Sequence, residues 1–197
     1  MQEQANVSLS AVELQLVTDP GWILTKNGII QKVYDLFGSL SASYVALAKE
    51  LAVPEELLLM PPKISRGEQY KGLPYVMLDY PRCFGKEDVL AVRTFFWWGN
   101  YFSCTLHLKG RYLKQYAGVV EEAISNGELQ GFYINTSNEE WNHDVNESMQ
   151  PITIADKRKP VQEDLIKISG ICSLQQWNEA ADVLRQQFQL YLKLMKS

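Results

Sequence analysis

The span 89–109, VLAVRTFFWWGNYFSCTLHLK, constrains the fold more than any other part of the chain. Aromatic and β-branched residues dominate it, apolar and polar positions alternate, and Gly99-Asn100 interrupts it. That pattern predicts two antiparallel strands, 89–98 and 101–109, joined by a two-residue turn in which Gly99 takes the positive φ. A sheet therefore forms around this hairpin, and the rest of the chain must cover it.

The turn length decides which side chains share a face, because successive residues on a strand point to opposite sides. A two-residue turn sets Trp98 opposite Tyr101 and Phe95 opposite Cys104. One face then carries Phe95, Trp97, Phe102, Cys104, Leu106 and Leu108 and reads as core, with Arg93 as its one cation. Arg93 there requires a partner, and Asp79 on the neighbouring strand is the obvious carboxylate. The other face carries Phe96, Trp98 and Tyr101 among Val92, Thr94, Ser103, Thr105 and His107. Half aromatic and half small-polar, it needs a cover: the chain itself, a second copy of the protein, or a ligand.

Upstream, the pattern has the helical period. Ser10-Ala-Val-Glu13 is a capping box that opens a short helix ending near Asp19-Pro20. Two more helices are predicted over 26–37 and 41–51, separated at Gly38, and Pro61-Pro62 closes the helical part. After it, LPYVMLDY at 73–80 reads as a strand stopped by Pro81. A helix is predicted over 111–125, and strands over 129–135 and 165–171. Ser173-Leu-Gln-Gln176 opens a final helix to Met195, whose stripe Trp177, Ala181, Leu184, Phe188, Tyr191, Met195 docks on the sheet.

The predicted fold is thus α+β: a single domain with a mostly antiparallel sheet of four to five strands around a central β-hairpin. N-terminal helices and a long C-terminal helix pack against it. Its parts are a helical segment 1–62, a sheet core 63–135 with one helix, a polar excursion 136–162, and a strand plus helix over 163–197. A chain of 197 residues is long enough to bury a core without staples.

Composition narrows the function. The net charge of −4 argues against a non-specific nucleic-acid binder, which needs basic surface for phosphates. Three cysteines without a C-x-x-C fit a reducing cytoplasm better than a disulfide framework. No stretch approaches 18 uninterrupted apolar residues and the N-terminus has no signal-peptide pattern, so no membrane association is expected. The sequence holds no G-x-G-x-x-G, P-loop, G-x-S-x-G or H-E-x-x-H. Neither a cofactor nor a catalytic constellation is read from it. Asn142, Asp144 and Asn146 have the spacing of a calcium loop, but Glu147 stands where its glycine belongs and Thr153 where its bidentate glutamate belongs.

Two functional expectations follow. The first is a non-catalytic binding protein that self-associates, as a dimer, through Phe96, Trp98 and Tyr101, since Trp and Tyr are enriched in interfaces. The second is a small-molecule-binding protein or enzyme for a small anionic ligand. It uses those rings as walls and Arg66, Asp79, Arg82 and His107 as polar groups. Glu68 could join Asp79 as a carboxylate pair. Cys83 follows Arg82, a basic neighbour of the kind that can lower a thiol pKa, but no histidine near it in sequence pairs with it, so it is not read as a nucleophile. The DKRK run at 156–159 reads as a solvated loop.

Overall fold

The computed structural model describes residues 7–137, 139–153 and 164–195. Its elements are α1 (Ala11–Thr18), α2 (Pro20–Glu50), β1 (Lys63–Tyr70), β2 (Leu73–Phe84), β3 (Val89–Trp97), β4 (Tyr101–Lys109), α3 (Arg111–Ser125), β5 (Tyr133–Asn135), α4 (Val145–Ser148), β6 (Met149–Pro151), β7 (Leu165–Ser173) and α5 (Ala180–Leu194). The architecture is α+β, as the sequence predicts. One antiparallel sheet has seven strands rather than four or five, in the order β1-β2-β3-β4-β7-β5-β6. The DKRK run lies outside the described residues. Among the described residues, no helix is long and apolar enough to cross a membrane.

The helices α2, α3 and α5 cover one face of the sheet and form the main core with it. The 31-residue α2 replaces the two helices predicted on either side of Gly38. Its buried positions Ile30, Val33, Phe37, Leu40, Tyr44 and Leu47 alternate steps of three and four, one continuous stripe facing the sheet. A glycine costs only about 1 kcal/mol in a helix interior, less than the burial of that stripe returns. Tyr44 stacks on Phe188 of α5 with ring centroids 3.6 Å apart. The final helix begins six residues later than its capping box suggests. Ser173 caps a short 3-10 turn, and α5 starts at Ala180.

The central hairpin forms, but with a three-residue loop. Trp97 pairs with Tyr101 and Phe96 with Phe102, leaving Trp98, Gly99 and Asn100 in the loop. Gly99 holds φ at 72° and Asn100 N–H donates to Trp97 O at 3.1 Å. This one-residue slip inverts the predicted face of every β3 side chain relative to β4. Val92, Thr94 and Phe96 lie with Phe102, Cys104, Leu106 and Leu108 under the helices. Arg93, Phe95 and Trp97 lie with Tyr101, Ser103, Thr105 and His107 on the other side.

Two further corrections matter for the site. The strand β2 does not stop at Pro81. It runs on to Phe84 through a bulge between Asp79 and Arg82, a place where a strand tolerates proline. The excursion after β5 is not a plain loop. It contains α4 and β6 and folds over the face of the sheet that carries no long helix.

Candidate functional site

The face opposite the helices divides along the strands. Toward the hairpin loop it is aromatic: Phe95, Trp97 and Tyr101 pack with Tyr70, Tyr75 and Met77, and Val145 and Met149 of the excursion close over them. Away from the loop it becomes polar. Pairing register places Asp79, Arg93, Thr105, Ser169 and Tyr133 in one row across five strands. The next row holds Arg82, Ala91, His107 and Lys167. Asp79 and Arg82 are three residues apart and in a regular strand would face opposite ways. The bulge returns Arg82 to the side of Asp79.

Arg93 organises this cluster. Its Nε donates to Asp79 Oδ1 at 2.7 Å and its Nη2 to Asp79 Oδ2 at 2.9 Å, a bidentate pair across adjacent strands. This is the partner expected for Arg93, although on the face opposite to the one predicted. The remaining Nη1 donates to His143 Nε2 at 2.8 Å. Accepting there requires the His143 proton to sit on Nδ1. The guanidinium also lies 5.9 Å from the ring centres of both Phe84 and Trp141.

The cover is residues 139–148, fastened by side chains from the sheet. Tyr70 OH accepts from His143 N–H at 2.7 Å, and Tyr101 OH accepts from Val145 N–H at 2.8 Å. Lys109 pairs with Glu140 at 2.7 Å, and Lys71 with Asp144 at 2.8 Å and with Glu147. Lys167 donates its ammonium to the Asn142 carbonyl. Asp144 caps α4 by accepting from Asn146 N–H, so the calcium-like spacing serves a helix start. Among the described residues, no cluster of three acidic, histidine or cysteine side chains could hold a metal ion.

Between sheet and cover lies a recess lined by Phe84, Ala91, Arg93, Thr105, His107, His143 and Lys167. Its volume is about 10 Å³, room for one water-sized group. Beside it opens a cleft of about 270 Å³, lined by Lys63, Ser65, Met77, Asp79, Arg82, Phe84, Arg93 and Trp141. Phe84 and Arg93 are walls of both. A larger groove of about 560 Å³ lies past Arg82 and Phe84 toward Tyr112. Among the described residues, no buried unpaired polar atom belongs to its lining, so its size alone does not make it the site.

The titratable groups around the recess are displaced toward their neutral forms. Burial, then Lys167 and Arg93, hold His107 down to about 3. Burial and Arg93 hold His143 down to about 2. Burial and Arg93 lower Lys167 to about 8, with Glu140 and Glu139 acting the other way. Both imidazoles are therefore neutral at pH 7, and Lys167 keeps most of its charge. His107 is 6% exposed and its Nε2 has no hydrogen-bond partner. Glu140 Oε1 is 3.4 Å away without making a hydrogen bond, and a neutral ring makes no ion pair.

The residues singled out from the sequence scatter. Asp79, Arg82 and His107 come together at the recess and cleft. Arg66 does not join them: it is exposed on β1, with its guanidinium 5.6 Å from the Tyr34 ring on α2. Phe96 is buried under the helices, where it packs on Phe102 and Trp177. Trp98 sits in the loop, edge-on to Phe96. Tyr101 is buried under the excursion, so the three hairpin aromatics form no common exposed face. Glu68 is separated from Asp79 and pairs with Lys26. Burial raises the Cys83 thiol rather than lowering it. His143, one of only two histidines in the sequence, joins the site, and so do Lys167, Glu140, Trp141 and Phe84, which no sequence motif marks. Only Lys167 carries a signal legible in hindsight, a lone cation inside the apolar run LIKISGI.

The fold and the site define an α+β protein with a half-enclosed polar recess on the unhelical face of an antiparallel sheet. No family model matches the chain, and no curated protein or solved structure shows significant similarity to it.

Proposed function

We propose that this is a small-molecule-binding protein whose ligand is an organic anion, a carboxylate on a flat apolar body, held in the cleft beside Arg82. The observation that carries the reading is the buried, unpartnered Nε2 of His107 in a recess bordered by Lys167 and Arg93. A buried polar atom without a partner costs about 1–3 kcal/mol, and a site that awaits a ligand is where such a cost persists. The cleft supports it. Lys63, Arg82 and Arg93 outnumber Asp79 there, and Phe84 and Trp141 supply rings. Arg82 is held through Nε by the Pro61 carbonyl at 2.7 Å, and no described residue engages its terminal nitrogens. Those two nitrogens form the fork that grips a carboxylate.

Benzoate tests this reading, with inorganic phosphate as the comparison. Titration calorimetry at low salt is expected to show benzoate binding that Arg82→Gln weakens about tenfold, the value of one charge-assisted contact. Binding of phosphate and not benzoate would move the ligand class away from flat carboxylates. Binding of neither, together with a purified protein that carries no adduct in native mass spectrometry, would sink the proposal.

A further inference from the structure

Residues 7–24 stand apart from the other described residues of the molecule. No residue from 7 to 25 is buried, and the first buried side chain of α2 is Ile30. Yet this arm is strongly apolar. Val7, Leu9, Val12, Leu14, Val17 and Leu24 are all more than half exposed, from 54% at Leu14 to 86% at Val7. A helix that is apolar on all sides belongs in an interior. The helix α1 has eight residues and buries none of them. A helix this short is marginal in water; its capping box, the Thr18 hydroxyl on the Leu14 carbonyl and a bond from Trp22 Nε1 to the Leu16 carbonyl support it, and no buried apolar contact does.

We propose that this arm is the interface through which two copies of the chain pair, each α1 packing on the α1 and first turns of α2 of the other. Area and charge select this occupant. Nine large apolar residues of the arm, from Val7 to Leu24, are 40–86% exposed, a surface on the scale of an interface of standard size, which buries about 800 Å² per partner. The arm's only charges are Glu13 and Asp19, and both are turned to local use. Glu13 closes the capping box and Asp19 caps α2 through Gly21 N–H. Both carboxylates are thus drawn to the ends of α1, and Leu14, Leu16 and Val17 between them carry no charge. With no lysine or arginine between 7 and 25, the arm has nothing to bind anionic lipid headgroups. A single flat partner surface would cover one side of α1, whereas a second arm and its own α2 enclose it. A self-complementary patch of this kind closes as a two-fold dimer.

Sedimentation equilibrium of the full chain tests this at 1–50 µM. The expected result is a dimer that Leu14→Glu and Val17→Glu each convert to monomer, with far-UV circular dichroism otherwise unchanged. Neither residue is buried, so the variants keep the fold. A wild-type monomer across the range overturns the proposal. A dimer that both variants preserve overturns it too, because the interface then lies elsewhere. A wild-type monomer that floats with phosphatidylcholine vesicles would assign the arm to a lipid surface instead.

Discussion

Arg93 shows how one residue type sets the chemistry of a whole face. A guanidinium inside a sheet must spend its donors, and it spends them on Asp79 and on His143 of the cover. Burial, reinforced by its charge and that of Lys167, then keeps both histidines neutral. The consequence for stability has a definite sign. Both imidazoles have folded pKa values, about 3 and about 2, below the ordinary 6.5. The unfolded chain thus binds two protons that the native state refuses, so the stability they contribute is complete above pH 6.5 and is lost as pH falls toward 3. Between pH 6 and 4 the loss approaches about 1.4 kcal/mol per pH unit for each histidine. Urea unfolding at pH 7, 6, 5 and 4 is expected to show this fall, and His107→Gln should remove about one proton's worth of the slope. A slope unchanged in that variant would mean that His107 is already protonated in the folded state.

At the scale of elements, turns and crossings carried the information that periodicity did not. Helix α3 is predicted within its observed ends because its stripe and its stop at Asn126-Gly127 act locally. Three errors had another origin. The hairpin loop took one residue more than the shortest turn allows, and a single residue is enough to exchange the faces of a strand. Pro81 read as a stop because a bulge depends on the neighbouring strand, which one segment cannot reveal. The strand β1, KISRGEQY, is absent from the predicted strands because an edge strand with polar sides lacks the apolar signal. Most of the candidate site hung on those three points, so its members were legible singly and its assembly was not. The junction from β4 to α3 offers a sharp check of local geometry. Gly110 holds φ at 60°, and a Cβ there would stand 2.3 Å from the Glu87 carbonyl oxygen. Backbone cannot step aside as a flexible side chain can, so Gly110→Ala is expected to cost more than about 2 kcal/mol. Denaturant unfolding that gives a loss under about 0.5 kcal/mol would show that the junction moves freely.

The molecule as a whole divides its apolar surface unevenly. The sheet is covered twice, by three helices on one face and by the excursion on the other, while no described residue of the chain buries any side chain of the arm. The body therefore does not need the arm to fold, but the arm needs a partner to lose its contact with water. Thermal unfolding separates these two statements. A hundredfold rise in concentration shifts the stability of a dimer by about 2.7 kcal/mol, half of it per chain. For a chain of this size that moves the midpoint by about 3–5 °C. The full chain is expected to show that rise between 1 and 100 µM. A chain beginning at Thr25 should unfold cooperatively at a midpoint that does not change with concentration, because no side chain from 7 to 24 is buried in the body. A shortened chain that fails to unfold cooperatively would show that the arm belongs to the fold. A full chain with a flat midpoint would leave the body intact and remove the pairing.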